Sequence, residues 1–87
     1  MTDKSLLDKL LDGDDPPISY ADLHGVLNGV AGCNNLPPEP EDGPYRTWRY
    51  EGAGLLTVRD NGQKPMYPRS IKKAAKFLRK VKKEGGI

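Results

Sequence analysis

This 87-residue chain has little of the chemistry of catalysis, with one cysteine and one histidine, and few large aromatics, with one tryptophan and one phenylalanine. With Cys33 alone, an internal disulfide is impossible and a four-ligand zinc site lacks its thiolates, so a reducing, cytoplasmic setting is the simplest expectation. His24 has no cysteine or serine spaced to act with it. The expectation there is a surface or helix-capping imidazole and not a general base. No apolar run approaches the ~20 residues of a membrane span, and none at the N-terminus is long enough for a secretory signal, so no membrane partner is expected. Internal repeats are absent. Gly52-Ala53-Gly54 is too short for a phosphate-cradling loop and joins strand to strand. The acidic groups Asp12, Asp14, Asp15 and Glu39, Glu41, Asp42 lack the glycine and terminal glutamate of a calcium loop, so solvation accounts for them and no metal or cofactor is expected.

Size points the same way. A chain this short buries only about 60–65% of its unfolded surface, which leaves little core to shape a deep substrate pocket. The expectation is one small non-enzymatic domain.

What the chain does have is charge, divided by position. Residues 1–44 hold 2 basic and 9 acidic side chains, residues 45–87 hold 12 basic and 3 acidic, and the halves of −7 and +9 are hidden in a net +2. Such a division suits a basic half offered to a polyanion or an acidic partner, and equally two halves that attract each other.

The basic half ends in an amphipathic helix, predicted over 70–84. Ser70 is a good N-cap, Pro68 stands just outside the start, and Gly85-Gly86 supplies the stop. At 100° per residue Ile71, Ala74, Ala75, Phe77, Leu78 and Val81 share one side, and Lys72, Lys73, Lys76, Arg79, Lys80 and Lys83 share the other. On this reading Lys72 and Lys73 fall in the first turn, where the positive macrodipole favours an acid by roughly 0.3–1 kcal/mol each. Free N–H groups and ammonium groups there would together attract a phosphate. Lys72, Lys73, Lys76, Arg79, Lys80 and Lys83, with Arg69, are therefore the candidate residues for binding a nucleic acid or a protein partner. No catalytic residue is proposed.

Elsewhere, residues 2–12 read as a short helix capped by Thr2 and closed by Gly13, with Leu6, Leu7, Leu10 and Leu11 in a stripe. Eleven residues cannot hold a helix alone, so the leucines must dock on the domain, on a second copy to make a homodimer, or on a partner. Asp14-Asp15-Pro16-Pro17 breaks the chain before Ser19 caps a second helix to about Ala31. Tyr20, Leu23, Val26, Leu27 and Val30 face a core. Gly25, Gly29 and Gly32 line up opposite at a cost of roughly 2–3 kcal/mol, either as a close-approach surface or as glycines tolerated by a well-packed helix. Residues 34–44 (NNLPPEPEDGP), with four prolines and three acids, read as an extended acidic connector.

The period then changes to two. Trp48 and Tyr50 share a face in 45–51, and Leu56 and Val58 share one in 55–59. Asn61-Gly62 signals a type I′ hairpin into a third strand at 64–67, confined to an edge by Pro65 and Pro68. Trp48 is expected in the core, while Tyr45 and Tyr67 are open between packing and stacking on bases. The fold class predicted is α+β: a three-stranded antiparallel sheet packed against a basic C-terminal helix and one or two N-terminal helices, with residues 14–87 as an α-β-β-β-α unit.

The run Thr57 to Gln63, followed by Ser70-Ile71-Lys72-Lys73-Ala74-Ala75-Lys76, resembles the second half of a double-stranded RNA-binding domain, where a hairpin leads into a helix opening Lys-Lys-x-Ala-Lys. The resemblance implies that Lys72, Lys73 and Lys76 meet phosphates between two minor-groove contacts. The family's Gly-Pro-x-His finger has no counterpart at Gly52-Ala53-Gly54, and His24 and Asn28 are the candidates for its first-helix contacts. The element order and the ending Lys83-Glu84-Gly85-Gly86-Ile87 are also similar to HicA-type small toxins of toxin–antitoxin pairs, although the catalytic histidine expected in their strands is absent. Residues 21–29 (ADLHGVLNG) look like a helix of the YgfB-type bacterial proteins, which implies no mechanism. The function expected is a small regulatory protein that binds a nucleic-acid backbone, duplex RNA or DNA, without reading sequence. The alternative is a small phage or bacterial protein that modulates a protein partner through the basic helix and the leucine stripe.

Overall fold

The computed structural model describes residues 3–13, 17–30, 32–37 and 39–86. Thr2 as the first cap, the break at Asp14-Asp15-Pro16 and Ala31 as the second helix end lie outside the described residues. The elements in order are α1 (Asp3–Leu11), α2 (Tyr20–Gly25) continuing as a π-helical segment (Val26–Val30), β1 (Asn34–Leu36), a 3₁₀ turn (Pro40–Asp42), β2 (Tyr45–Tyr50), β3 (Gly54–Arg59) and α3 (Pro68–Lys83). The protein is α+β, with a three-stranded antiparallel sheet in the order β1-β2-β3.

The central hairpin follows from its period. Trp48 pairs with Leu56 and Arg46 with Val58, which places the apolar side chains on one face. Tyr45 beside Arg59, Thr47 beside Thr57 and Arg49 beside Leu55 occupy the other. The turn between the strands closes with the Ala53 N–H donating to the Tyr50 carbonyl at 3.0 Å, and its third residue, Gly52, takes the left-handed φ of 89° that a side chain resists.

The outer strands differ from both expectations. Residues 34–36 form β1, with Asn34 opposite Arg49 and Leu36 opposite Thr47, so the acidic stretch is not a featureless connector from its start. Residues 64–67 form no strand on β3 and make only a single bridge, Ser19 to Pro65, with the Met66 N–H donating to the Ile18 carbonyl at 2.8 Å. The reason is in the turn. A type I′ hairpin needs positive φ at both central residues, and among the described residues no non-glycine residue, Asn61 included, has one. The Asp60 carboxylate instead accepts the Gly62 N–H at 2.8 Å, which turns the chain away from β3, and Pro65 has no N–H to give a ladder. The order α-β-β-β-α survives with its strands reassigned.

Ser19 caps α2 in a full capping box: its hydroxyl accepts the Asp22 N–H at 3.2 Å, and the Asp22 carboxylate accepts the Ser19 N–H at 3.3 Å. Beyond Gly25 the helix widens to the π form, and Tyr20, Leu23, Val26 and Leu27 remain buried. Trp48 is fully buried, and its indole N–H donates to the Tyr20 hydroxyl at 3.1 Å. His24 is neither on the open surface nor a cap. Its half-buried ring stands edge-on to Trp48 at 5.0 Å between centroids and to Tyr20 at 6.1 Å.

The leucine stripe of α1 is used within the chain. Leu6, Leu7 and Leu10 are buried in the same core as Trp48, Leu78 and Val81, which removes them as the seam of a homodimer. Arg79 on α3 completes the attachment: its Nε donates to the Leu11 carbonyl at 3.2 Å and Nη2 to the Leu10 carbonyl at 3.5 Å, capping the negative end of α1.

Replacing Leu10 by Ala is expected to cost about 2–5 kcal/mol in urea melts, because the cavity opens in the common core and not at a removable interface. Arg79→Ala should cost about 0.3–1 kcal/mol, and Lys76→Ala nothing measurable. The alkaline limb supplies a second test. Burial pushes the Cys33 thiol from 9.0 up to about 11, and burial, partly opposed by the Trp48 hydrogen bond, raises Tyr20 above 10.0. Both groups prefer the folded state when protonated, so their stabilisation is complete below pH 9.0 and falls as the pH rises toward about 11. Denaturant midpoints of Cys33→Ala should decline less steeply than wild type across that window.

Candidate nucleic-acid interface

The helix that carries the candidate cations starts two residues earlier than its sequence signals. Tyr67 occupies the N-cap with no side-chain capping bond, Pro68 is the first helical residue, and Ser70 lies inside the helix. Lys72 and Lys73 are therefore in the second turn. Only Arg69 stands in the first, and the Ser70 and Ile71 N–H groups already donate to the Tyr67 carbonyl, at 2.9 and 3.1 Å. With no N–H on Pro68, a cradle of free backbone donors at this helix start does not form.

At the other end the expected stop is present. The Gly86 N–H donates to the Val81 carbonyl at 2.9 Å and the Gly85 N–H to the Lys82 carbonyl at 3.0 Å, with Gly85 at φ 83°, the paired bonds of a Schellman cap. Between these ends Ile71, Ala74, Ala75, Phe77, Leu78 and Val81 are all buried. That burial fixes the rotation of α3 about its axis and turns the opposite face to solvent.

On that face Arg69, Lys72, Lys73, Lys76, Arg79, Lys80 and Lys83 are all exposed. They do not share one role. The Lys73 ammonium donates to the Thr57 carbonyl of β3 at 3.1 Å and so fastens α3 to the sheet, while Arg79 caps α1. Arg69, Lys72, Lys76, Lys80 and Lys83 remain with no ion pair or side-chain hydrogen bond among the described residues. Their spacing puts them in one stripe about 21 Å long at the 1.5 Å rise of a helix. By contrast Arg46 on β2 is taken up locally, by the Gly43 carbonyl at 2.8 Å, the Tyr45 carbonyl at 2.9 Å and the Asp60 carboxylate at 3.9 Å.

A second feature was not anticipated. Where the start of α3 passes the outer edge of β3, an open cleft of about 500 Å³ is lined by Tyr45, Thr57, Arg59, Tyr67, Arg69 and Lys73, among others. Tyr45 and Tyr67, left open between packing and stacking by sequence, are 50% and 57% exposed and so do not belong to the core. The Arg59 signal is its place on the solvent side of a period-two strand, directly opposite Tyr45.

The contact regions expected from the RNA-binding resemblance fare unequally. The turn at 51–53 is too short for a groove-reaching finger, and His24 is committed to Trp48, while Asn28 is exposed and the α3 lysines are presented outward. Among the described residues no three His, Cys, Asp or Glu side chains gather as a metal site, and no helix is long and apolar enough to cross a membrane. The chain matches no protein-family model, no curated protein and no solved structure.

Proposed function

We propose that the protein is a non-enzymatic regulator that binds a nucleic-acid backbone, duplex RNA or DNA, along α3 without reading base sequence. The observation that carries this reading is the stripe of five cations, Arg69, Lys72, Lys76, Lys80 and Lys83, left unneutralised on a helix whose other face is wholly buried. Like charges held on one rigid face repel one another, and phosphates that replace water and counterions around them relieve that repulsion and release the counterions bound to the duplex. A stripe about 21 Å long runs past about six base pairs at 3.4 Å each, so several phosphates can be met at once. Lysine suits this task as a mobile point charge without the fixed fork that reads guanine. The lysine pattern shared with double-stranded RNA-binding domains supports the same reading, through α3 alone.

The rival is an acidic protein surface. Its support is the acidic N-terminal half, with Asp8, Asp12 and Asp22 exposed, which a polyanion would avoid.

The triple variant Lys72→Ala, Lys76→Ala, Lys80→Ala separates them, with Lys73 left in place because it holds Thr57. Duplex affinity should fall for every sequence, and the slope of log affinity against log salt should shrink by about 0.9 per lost phosphate contact on B-DNA. Thermal stability should hold or rise, since alanine favours helix and neighbouring like charges are removed. Wild-type binding no tighter than roughly 10⁻⁴ M at physiological salt would overturn the proposal and leave the protein-partner reading.

A further inference from the structure

The cleft beside the start of α3 adjoins the cationic stripe, because Arg69 belongs to both and Lys73, which lines the cleft, follows Lys72 of the stripe. Its lining differs from the stripe in kind. Two exposed phenol rings, Tyr45 and Tyr67, stand with the arginines Arg59 and Arg69, and no carboxylate is among the lining residues. Flat aromatic surfaces beside cations are what an unstacked base and its phosphates require: every base offers a π face to a ring, and the guanidinium groups hold the strand.

The open edge of β3 offers backbone groups to a peptide strand but is guarded at its centre by a lysine. The Asp60 N–H donates to the Pro44 carbonyl at 2.8 Å, and alternation along the ladder then directs the backbone groups of Leu55, Thr57 and Arg59 away from β2, toward the open side. The Thr57 carbonyl already accepts the Lys73 ammonium, so a strand pairing there would have to displace an edge-guarding lysine.

We infer that this cleft binds an unpaired nucleotide next to the duplex held by α3, so that the preferred ligand is a duplex with a single-stranded extension and not a blunt one. The inference rests on the backbone-binding reading and names its ligand more closely. Tyr45 and Tyr67 supply the stacking surfaces, and Arg59 and Arg69 meet the extension's phosphates.

Fluorescence anisotropy on a blunt hairpin, the same hairpin with an unpaired 3′ extension and the same with an unpaired 5′ extension, in RNA and in DNA form, tests this. An extended hairpin should bind roughly ten- to a hundredfold more tightly than the blunt one. The double variant Tyr45→Ala, Tyr67→Ala should lose that gain while its blunt-hairpin affinity and melting temperature stay at wild type, both rings being outside the core. Equal binding of blunt and extended hairpins by wild type, or a gain that survives the double variant, overturns the inference and leaves the α3 reading standing. Failure of every hairpin to bind overturns both. Tyrosine-dependent binding of a polyglutamate peptide in place of the extensions would assign the cleft to acidic protein segments and overturn the nucleotide.

Discussion

The burial of one face of α3 is the constraint on which the rest of the structure depends. Six side chains from Ile71 to Val81 enter the core, where they meet Trp48, Leu56 and Val58 of the sheet and the leucines of α1. None of the other helices could stand alone: α1 has nine residues and α2 six, both below the length at which a helix holds in water. Each is stable because α3 and the sheet give its apolar side chains a place to go. The same rotation that seats Phe77 and Leu78 leaves the cations outside, so the charged stripe is a direct consequence of the packed one.

The cations also show how a uniform surface pattern divides once tertiary partners are present. Lys73 and Arg79 sit among similar residues on α3, yet the first holds a carbonyl of β3 and the second holds the end of α1. Both use a positive side chain to satisfy backbone oxygens that would otherwise face water. The lysines between and beyond them meet no such oxygen, and their charge is available to an outside ligand. The turn at Asp60 to Gly62 has a comparable effect on the sheet. By sending the chain away from β3 it leaves the strand's outer edge unpaired and opens the space that Tyr67 and Arg69 then border.

Much of this was legible in sequence where a period runs long enough to be read. The sixteen residues of α3 repeat their apolar positions over four turns, and every one of those positions is buried. The hairpin of β2 and β3 was equally clear from alternation around Trp48 and Leu56. β1 was not, because three residues, two of them asparagine, carry no period and precede a proline. The third strand was misplaced because Asn-Gly specifies a hairpin only when asparagine accepts a positive φ, and a carboxylate one residue earlier captured the Gly62 N–H instead. The helix start was misread for a similar reason: Ser70 is a good cap, but Pro68 fits the first helical position better and draws the boundary back to Tyr67. The separate roles of Lys73 and Arg79 depend on partners 16 and 68 positions away, which no local pattern records.

The central claim is that the solvent face of α3, and not some other surface, meets a nucleic-acid backbone. Backbone amide chemical shifts recorded at physiological salt while a blunt RNA duplex, and in a second titration a blunt DNA duplex, is added test it most directly, because the readout is by residue. The account predicts progressive, salt-sensitive shifts at Arg69, Lys72, Lys76, Lys80 and Lys83, with the amides of α1 and β1 unmoved. Shifts confined to α1 and β1, or none at all, would contradict it.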